Sequence, residues 1–139
     1  MEQLIRDVGH LGRLMIQLAG SDLTRTESWL LGAVSERPRR ITDLARFVGL
    51  TQPAITTVVN SLEQRGLTHR EPDPGDGRAV RILLTDRGRA LIEERYRRVG
   101  DALIASLSEQ PVDAEQLVAD AAAAVGVLVR ALEPAPVAR

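Results

Sequence analysis

The 139-residue sequence contains no cysteine, and that absence excludes disulfides, thiolate metal sites and thiol-based redox sensing together. Lysine is missing as well, so all 18 basic side chains are arginines, a bias from which no function is read. Only two histidines occur, His10 and His69, 59 positions apart. With no Cys, no Gly-x-Ser-x-Gly and no phosphate-cradling glycine loop, no nucleophile stands at motif spacing from a base. The chain therefore reads as a non-enzyme, with no catalytic residue and no cofactor. Its carboxylates are scattered, so no metal-ligand cluster is expected either. Long apolar runs are also lacking. The longest, Ala121 to Val129, falls far short of the roughly 20 residues that span a bilayer. The N-terminus shows no signal-peptide layout, so a cytoplasmic protein with no membrane partner is expected.

What is present suits one compact domain with appended helices: 44% of the residues are hydrophobic and 27% are charged. The formal net charge of −1 is unremarkable, but its distribution is not. Residues 37 to 90 hold ten Arg against six Asp and Glu, while the segments before and after are each net acidic. A basic middle between acidic flanks is the pattern expected of a lobe that meets phosphates.

Periodicity divides the chain further. Leu4, Val8, Leu11, Met15 and Leu18 recur at four, three, four and three, which predicts one apolar stripe along a helix over residues 2–19. Thr24, with Glu27 three residues later, forms a capping box for a second helix that carries Trp29, Leu30, Leu31 and Val34 and stops at Pro38. Ile41 suggests a brief extended pairing, and Thr42 caps a short helix, Asp43 to Val48, ending at Gly49. Thr51 caps the next helix, Gln52 to Arg65, with Pro53 in its first turn and Gly66 closing it. Leu67 to Glu71 and Arg78 to Leu84 read as strands joined by a long tip rich in turn formers, Pro72 to Gly77. Thr85 caps a long helix to about Leu107 whose inward residues are expected to be Leu91 or Ile92, Tyr96, Val99 and Leu103. Asp113 opens a last helix with a stripe of Leu117, Ala121, Ala124, Val125 and Leu128. The order is ααβααββαα: mainly α with a small β wing, an α+β class. The tail, residues 133–139, is expected to be disordered.

The centre of this order has the requirements of a helix-turn-helix. Ala45 is small where two helices cross, Gly49 supplies a turn free to take positive φ, and Ile55 and Val58 are branched residues that seat the second helix. An ordinary αα-hairpin in a core is the alternative for this segment alone. Once Ile55, Val58 and Leu62 face inward, Thr51, Gln52, Pro53, Thr56, Thr57 and Asn60 are left outward. Gln and Asn pair with adenine edges, Thr reaches bases or phosphate oxygens, and a helix N-terminus favours phosphate. The hairpin adds Arg78, flanked by Arg70 and Arg81, with reach enough for a minor groove. Asp76 is placed to orient a guanidinium. A solvated hairpin with a surface ion pair is the plainer alternative.

These residues resemble the MarR family of bacterial regulators. The segments that carry the resemblance are ITDLARFVGLTQPAITTVVNSLEQRGLTHR and DPGDGRAVRILLTDRG, the second matching a wing signature of Asp-x-Arg followed later by Leu-Thr-x-x-Gly. The resemblance implies a winged helix-turn-helix lobe over residues 24–88 and a linking helix over 86–108. Dimerisation helices would occupy 1–20 and 109–132 and intertwine in a homodimer. It further implies double-stranded DNA as partner, a near-palindromic operator, the helix from Gln52 in the major groove and Arg78 in the minor groove. Independently, the apolar stripes of the first and last helices would be exposed patches unless shared or packed on each other. Two departures stand out: Thr57 and Ser61 occupy positions often basic in the family, and Gly77 stands where a second wing Arg is common. Arg39, Arg40, Arg65 and Arg70 are the candidates to compensate, with Arg40 placed among the DNA contacts.

The resemblance also implies a repressor responsive to a small anionic aromatic effector held between dimer helices and lobe. By position, His10, Arg13, Trp29 and Tyr96 are the candidates to line that cleft, Arg13 pairing the anion. The plainer readings are His10 and Arg13 as solvated edge residues and Trp29 as core. A metal-responsive regulator finds no ligand cluster, and a winged-helix protein-interaction module without DNA binding is the alternative to the DNA-binding reading.

Overall fold

The computed structural model describes residues 1–132. The expectation of a disordered tail at 133–139 lies outside the described residues. The order is α1 (Glu2–Leu18), α2 (Arg25–Glu36), β1 (Arg39–Arg40), α3 (Ile41–Val48), α4 (Gln52–Gln64), β2 (Thr68–Asp73), β3 (Asp76–Leu84), α5 (Asp86–Ser108) and α6 (Ala114–Leu132), as the sequence pattern predicts. The chain forms two compact units, residues 1–99 and the stretch from Gly100 onward.

In the first unit α2 to α5 bury apolar residues against one small sheet. Leu30, Leu31 and Val34 of α2, Leu44 and Ala45 of α3, Ile55, Val59 and Leu62 of α4, Ile82 and Leu84 of β3 and Ile92 of α5 form a single core. Each fully buried Leu or Ile stabilises it by about 1.5–3 kcal/mol. The α3–α4 turn closes as expected: Gly49 takes φ +74°, and the amides of Gly49 and Leu50 both donate to the Ala45 carbonyl at 3.0 Å. Helix α4 is seated by Ile55, Val59 and Leu62, at spacings of four and three, while Val58 is only partly buried at the rim. Val59 thus replaces Val58 as the second anchor.

The antiparallel sheet has the order β1-β3-β2. The hairpin tip is shorter than the six residues expected, because both strands extend to a turn at Pro74-Gly75. Two aspartates allow this: Asp73 Oδ1 accepts from the Gly75 amide at 2.8 Å and Asp76 Oδ1 from the Arg78 amide at 3.2 Å. Helix α3 begins at Ile41, with Arg40 at the N-cap position, two residues before the expected start. The β1 pairing ends there, and Ile41 packs against the core from the first helical position.

The Leu-Thr-x-x-Gly run has a local physical cause. Thr85 Oγ1 accepts from the Gly88 amide at 3.0 Å, capping α5, and donates to the Gly66 carbonyl at 2.6 Å, while its amide donates to the Leu67 carbonyl at 3.1 Å. The start of α5 is thereby drawn onto the start of β2, and any side chain at Gly88 would run into the Leu67 carbonyl.

Helix α5 buries Gly88, Ile92, Arg95 and Val99. Tyr96, expected inward, is 61% exposed, and Arg95 takes its place. The register admits a charged residue because Arg95 is paired: it donates to Asp22 Oδ1 at 2.6 Å, to the Gly20 carbonyl at 3.3 Å and to Ser28 Oγ at 3.1 Å. Arg98 donates to the Ala19 carbonyl at 3.2 Å, and Arg65 to the Asp22 carbonyl at 2.8 Å. Three arginines from α5 and the end of α4 therefore hold the joint between α1 and α2.

Glu27 belongs to the same network. It completes the predicted capping box, accepting from the Thr24 amide at 2.8 Å while its own amide donates to Thr24 Oγ1 at 3.2 Å. It also accepts from Arg65 at 3.1 Å. Burial opposes its ionisation, yet the bonds from Thr24 and the Arg65 guanidinium outweigh burial and hold the carboxyl below its ordinary 4.5. A depressed folded pKa contributes stability above the unfolded value, which is lost as pH falls through the folded one. Glu27→Gln is therefore expected to cost roughly 1–3 kcal/mol near neutrality and to flatten the acid side of the stability profile. Urea midpoints from about pH 7 down to about pH 3 check this; parallel profiles for the two proteins would contradict it.

Helices α1 and α6 bury none of their own residues. The predicted stripe of α1 is present, but Leu4, Val8, Leu11, Met15 and Leu18 are each at least 43% exposed. In α6, Leu117, Val125 and Leu128 are likewise exposed. Asp113 caps α6 as expected, its Oδ1 accepting from the Gln116 amide at 3.1 Å.

Candidate nucleic-acid interface

With Ile55, Val59 and Leu62 turned to the core, the opposite face of α4 presents Thr51, Gln52, Pro53, Thr57 and Asn60 to solvent, with Thr56 half-buried beside them. Thr51 Oγ1 accepts from the Ala54 amide at 3.4 Å, so this end of the helix is capped by its own side chain. Thr56 and Thr57 donate back to the carbonyls of Gln52 and Pro53 at 2.9 and 3.1 Å. Their hydroxyls keep acceptor capacity, which suits contact with base donors. Asn60 Oδ1 accepts from Arg70 at 2.9 Å.

The arginines around this face divide into held and free. Arg70 is bound to Glu63 as well as Asn60, and is thus tied to the flank of α4. Arg40 donates to Asp73 Oδ2 at 2.7 Å and lies 3.7 Å from Asp76. Arg39 donates to the Ala33 carbonyl and to Glu36, and stacks over Phe47 at 5.1 Å. Arg65 is engaged with Glu27 and Asp22. All four arginines expected to compensate for the polar recognition helix therefore have partners within the chain. Arg81 pairs weakly with Glu71 at 3.9 Å, and its buried Nε has no partner among the described residues.

Arg78 differs from these. It is exposed on β3 beside the turn, and among the described residues its guanidinium has no partner. Asp76, expected to orient that guanidinium, bonds instead to the Arg78 amide and turns its other oxygen toward Arg40. The sequence did not reveal this tether, because Arg40 and Asp73 are 33 residues apart and only the fold joins them. Asp73 is held below its usual carboxylate range, first by the bond from Arg40 and then by the Gly75 amide, while Arg40 is raised chiefly by Asp73.

The four effector candidates lie on three helices, α1, α2 and α5. His10 and Arg13 share a face of α1, along an open shallow groove lined by α1 residues such as Gln3, Arg6 and Asp7. Trp29 is 46% exposed on α2, and the exposed Tyr96 places its hydroxyl over Gly32 of the same helix. Among the described residues no group of His, Cys, Asp and Glu is arranged to hold a metal ion, and no helix is long and apolar enough to cross a membrane.

A family model described as MarR family matches residues 21–79. The transcriptional regulator AdcR of Streptococcus pneumoniae is 33% identical over 72 residues, which cover 52% of this chain and 49% of that protein. The match thus spans about half of the curated relative's length. The solved structure of the transcriptional regulator Tm0710 of Thermotoga maritima superposes with a TM-score of 0.70 at 25% identity, covering 93% of this chain and 94% of its own. A mutant of S. aureus MepR, solved bound to an oligodeoxyribonucleotide, gives a TM-score of 0.62 at 24% identity over 95% of this chain and 97% of that one.

Proposed function

We propose that the chain, which a MarR family model matches over residues 21–79, is a DNA-binding transcription regulator that grips a near-palindromic operator as a homodimer. The observation that carries this reading is the juxtaposition of an outward polar helix, Gln52 to Asn60, with a hairpin whose Arg78 is exposed and uncommitted. In the proposed complex α4 enters the major groove with Gln52, Pro53, Thr56, Thr57 and Asn60 toward the bases. Thr51 brings a phosphate to the helix N-terminus, and Arg78 enters the adjacent minor groove. That a MepR mutant of the same fold was solved bound to an oligodeoxyribonucleotide supports DNA as partner. Exposed apolar stripes on α1 and α6 support the dimer, since a second copy removes them from water.

The finer reading is a cytoplasmic repressor released by a small anionic aromatic. Arg13 and His10 supply positive and hydrogen-bonding groups, and Trp29 and Tyr96 supply exposed rings, in a cleft completed by dimerisation. The test combines sedimentation of the purified chain with anisotropy titrations of random duplex DNA at several salt concentrations, with and without an aromatic carboxylate. A dimer is expected, with affinity falling as salt rises and with Trp29 emission quenched as the carboxylate releases DNA. A monomer, or a chain that ignores duplex DNA at low salt, would overturn the reading. The engaged state of Arg40 and Arg70 is the observation that favours the alternative, a winged-helix interaction module without DNA binding, and the same titration separates the two.

A further inference from the structure

We infer that Arg40 is a positioning residue for the wing, one that fixes the hairpin tip against the start of α3, and is not itself a phosphate contact. The inference rests on the DNA-binding reading for its consequence, but its geometry stands apart from it. Arg40 ends β1 and occupies the N-cap position of α3, so it is rigidly attached to the helix-turn-helix. Its guanidinium reaches the two aspartates that bracket the Pro74-Gly75 turn, at 2.7 Å to Asp73 Oδ2 and 3.7 Å to Asp76 Oδ2. Each of these carboxylates spends its other oxygen on the tip's own backbone, Asp73 on the Gly75 amide and Asp76 on the Arg78 amide. One guanidinium therefore clamps both ends of the turn through groups that already define its shape.

The tip needs such a clamp. The β2–β3 ladder is irregular between Pro72 and Asp73, so the regular strand pairing stops short of the turn. Two-stranded hairpins hold their ends poorly without further packing. The side chains of Arg40 and Asp73 are 23% and 13% exposed, which limits the solvent competition that weakens open ion pairs. Arg78 lies two residues beyond Asp76, so the clamp sets where that free guanidinium stands relative to α4. A wing held in place loses less freedom on binding than one that must be ordered by the groove.

The two roles for Arg40 predict opposite results at Asp73. If Arg40 contacts phosphate, Asp73→Asn removes a competing carboxylate and binding tightens or stays equal. If Arg40 positions the wing, Asp73→Asn weakens binding even though the protein has become more positive, while the asparagine oxygen still serves the Gly75 amide. Anisotropy titrations across salt are expected to show Arg40→Ala and Asp73→Asn each weakening binding on the order of threefold to fivefold. The double variant should be no worse than either alone, with the salt slope unchanged. A flattening of the slope by about one in Arg40→Ala, with Asp73→Asn binding at least as tightly as the parent, would overturn the inference. Amide exchange of the free protein supplies the second readout. Both variants are expected to speed exchange at Gly75 to Arg78 without affecting Ile55 to Leu62, and unchanged exchange at the tip would overturn the clamp. If the parent protein binds no duplex, the DNA-binding reading fails by itself, and tip exchange still decides whether Arg40 holds the wing.

Discussion

Arg78→Ala is expected to lower affinity for duplex DNA roughly ten- to a hundredfold, the scale of one lost specific contact, while leaving the fold untouched. The size follows from isolation. Arg39, Arg40, Arg65 and Arg70 have acceptors within the chain and Arg81 lies against Glu71, so among the described residues Arg78 is the uncommitted arginine of the hairpin, with no second arginine at Gly77 to share the loss. The exposed guanidinium stabilises nothing in the free protein, so thermal unfolding of the variant should match that of the parent. Arg78→Lys separates charge from shape, because an ammonium keeps the Coulomb attraction but lacks the planar fork. It should fall between parent and alanine, nearer to alanine where the minor groove is narrow. Equal binding by all three proteins would remove the wing from the account.

Gly88→Ala is expected to destabilise the fold by about 3 kcal/mol or more, at the upper end of overpacking penalties. The added Cβ would collide with the Leu67 carbonyl oxygen and lie 2.9 Å from its carbon. That oxygen is backbone, already fixed by the Thr85 amide, so no rotamer change relieves the clash. Relief requires α5 to move away from β2, which breaks the Thr85 bonds to Gly66 and Leu67 and opens the core at Ile92 and Leu84. In a marginally stable domain this is a large part of the total. Gly100→Ala in the same helix is the control: its Cβ meets nothing within 4 Å, and a helical Gly-to-Ala change adds up to about 1 kcal/mol. Urea midpoints for the two variants should move in opposite directions, and a Gly88→Ala protein as stable as the parent would contradict the packing described for the α5 N-terminus.

Element order was legible in the sequence because capping and periodicity agreed at most junctions, the start of α3 excepted. Thr24 with Glu27, Thr51 with Pro53, Gly49, Thr85 and Asp113 all act where the pattern places them. Finer errors came from cases where chemistry and periodicity compete. Periodicity alone cannot separate Val58 from Val59, since both lie within reach of Ile55 on a helix, and packing chooses the i+4 residue. Tyr96 looked like the apolar member of the α5 stripe, but the register belongs to Arg95, whose burial depends on acceptors from Gly20, Asp22 and Ser28 far earlier in the chain. The outward face of α4 and the exposed Arg78 were readable from residue type and position. Which arginines were already engaged was not, because the partners of Arg40 and Arg65 are 33 and 38 residues away. A contact of that span is fixed by strand register and helix crossing, which local sequence does not encode.

The most direct test is selection of duplexes from a random pool by the purified chain, followed by hydroxyl-radical footprinting on the winner. Two protected half-sites about one helical turn apart are expected. Minor-groove protection should flank each half-site in the parent and disappear in Arg78→Ala. A pool that fails to enrich, or a single unpaired site whose footprint ignores Arg78, would contradict a symmetric pair reading DNA with helix and wing together.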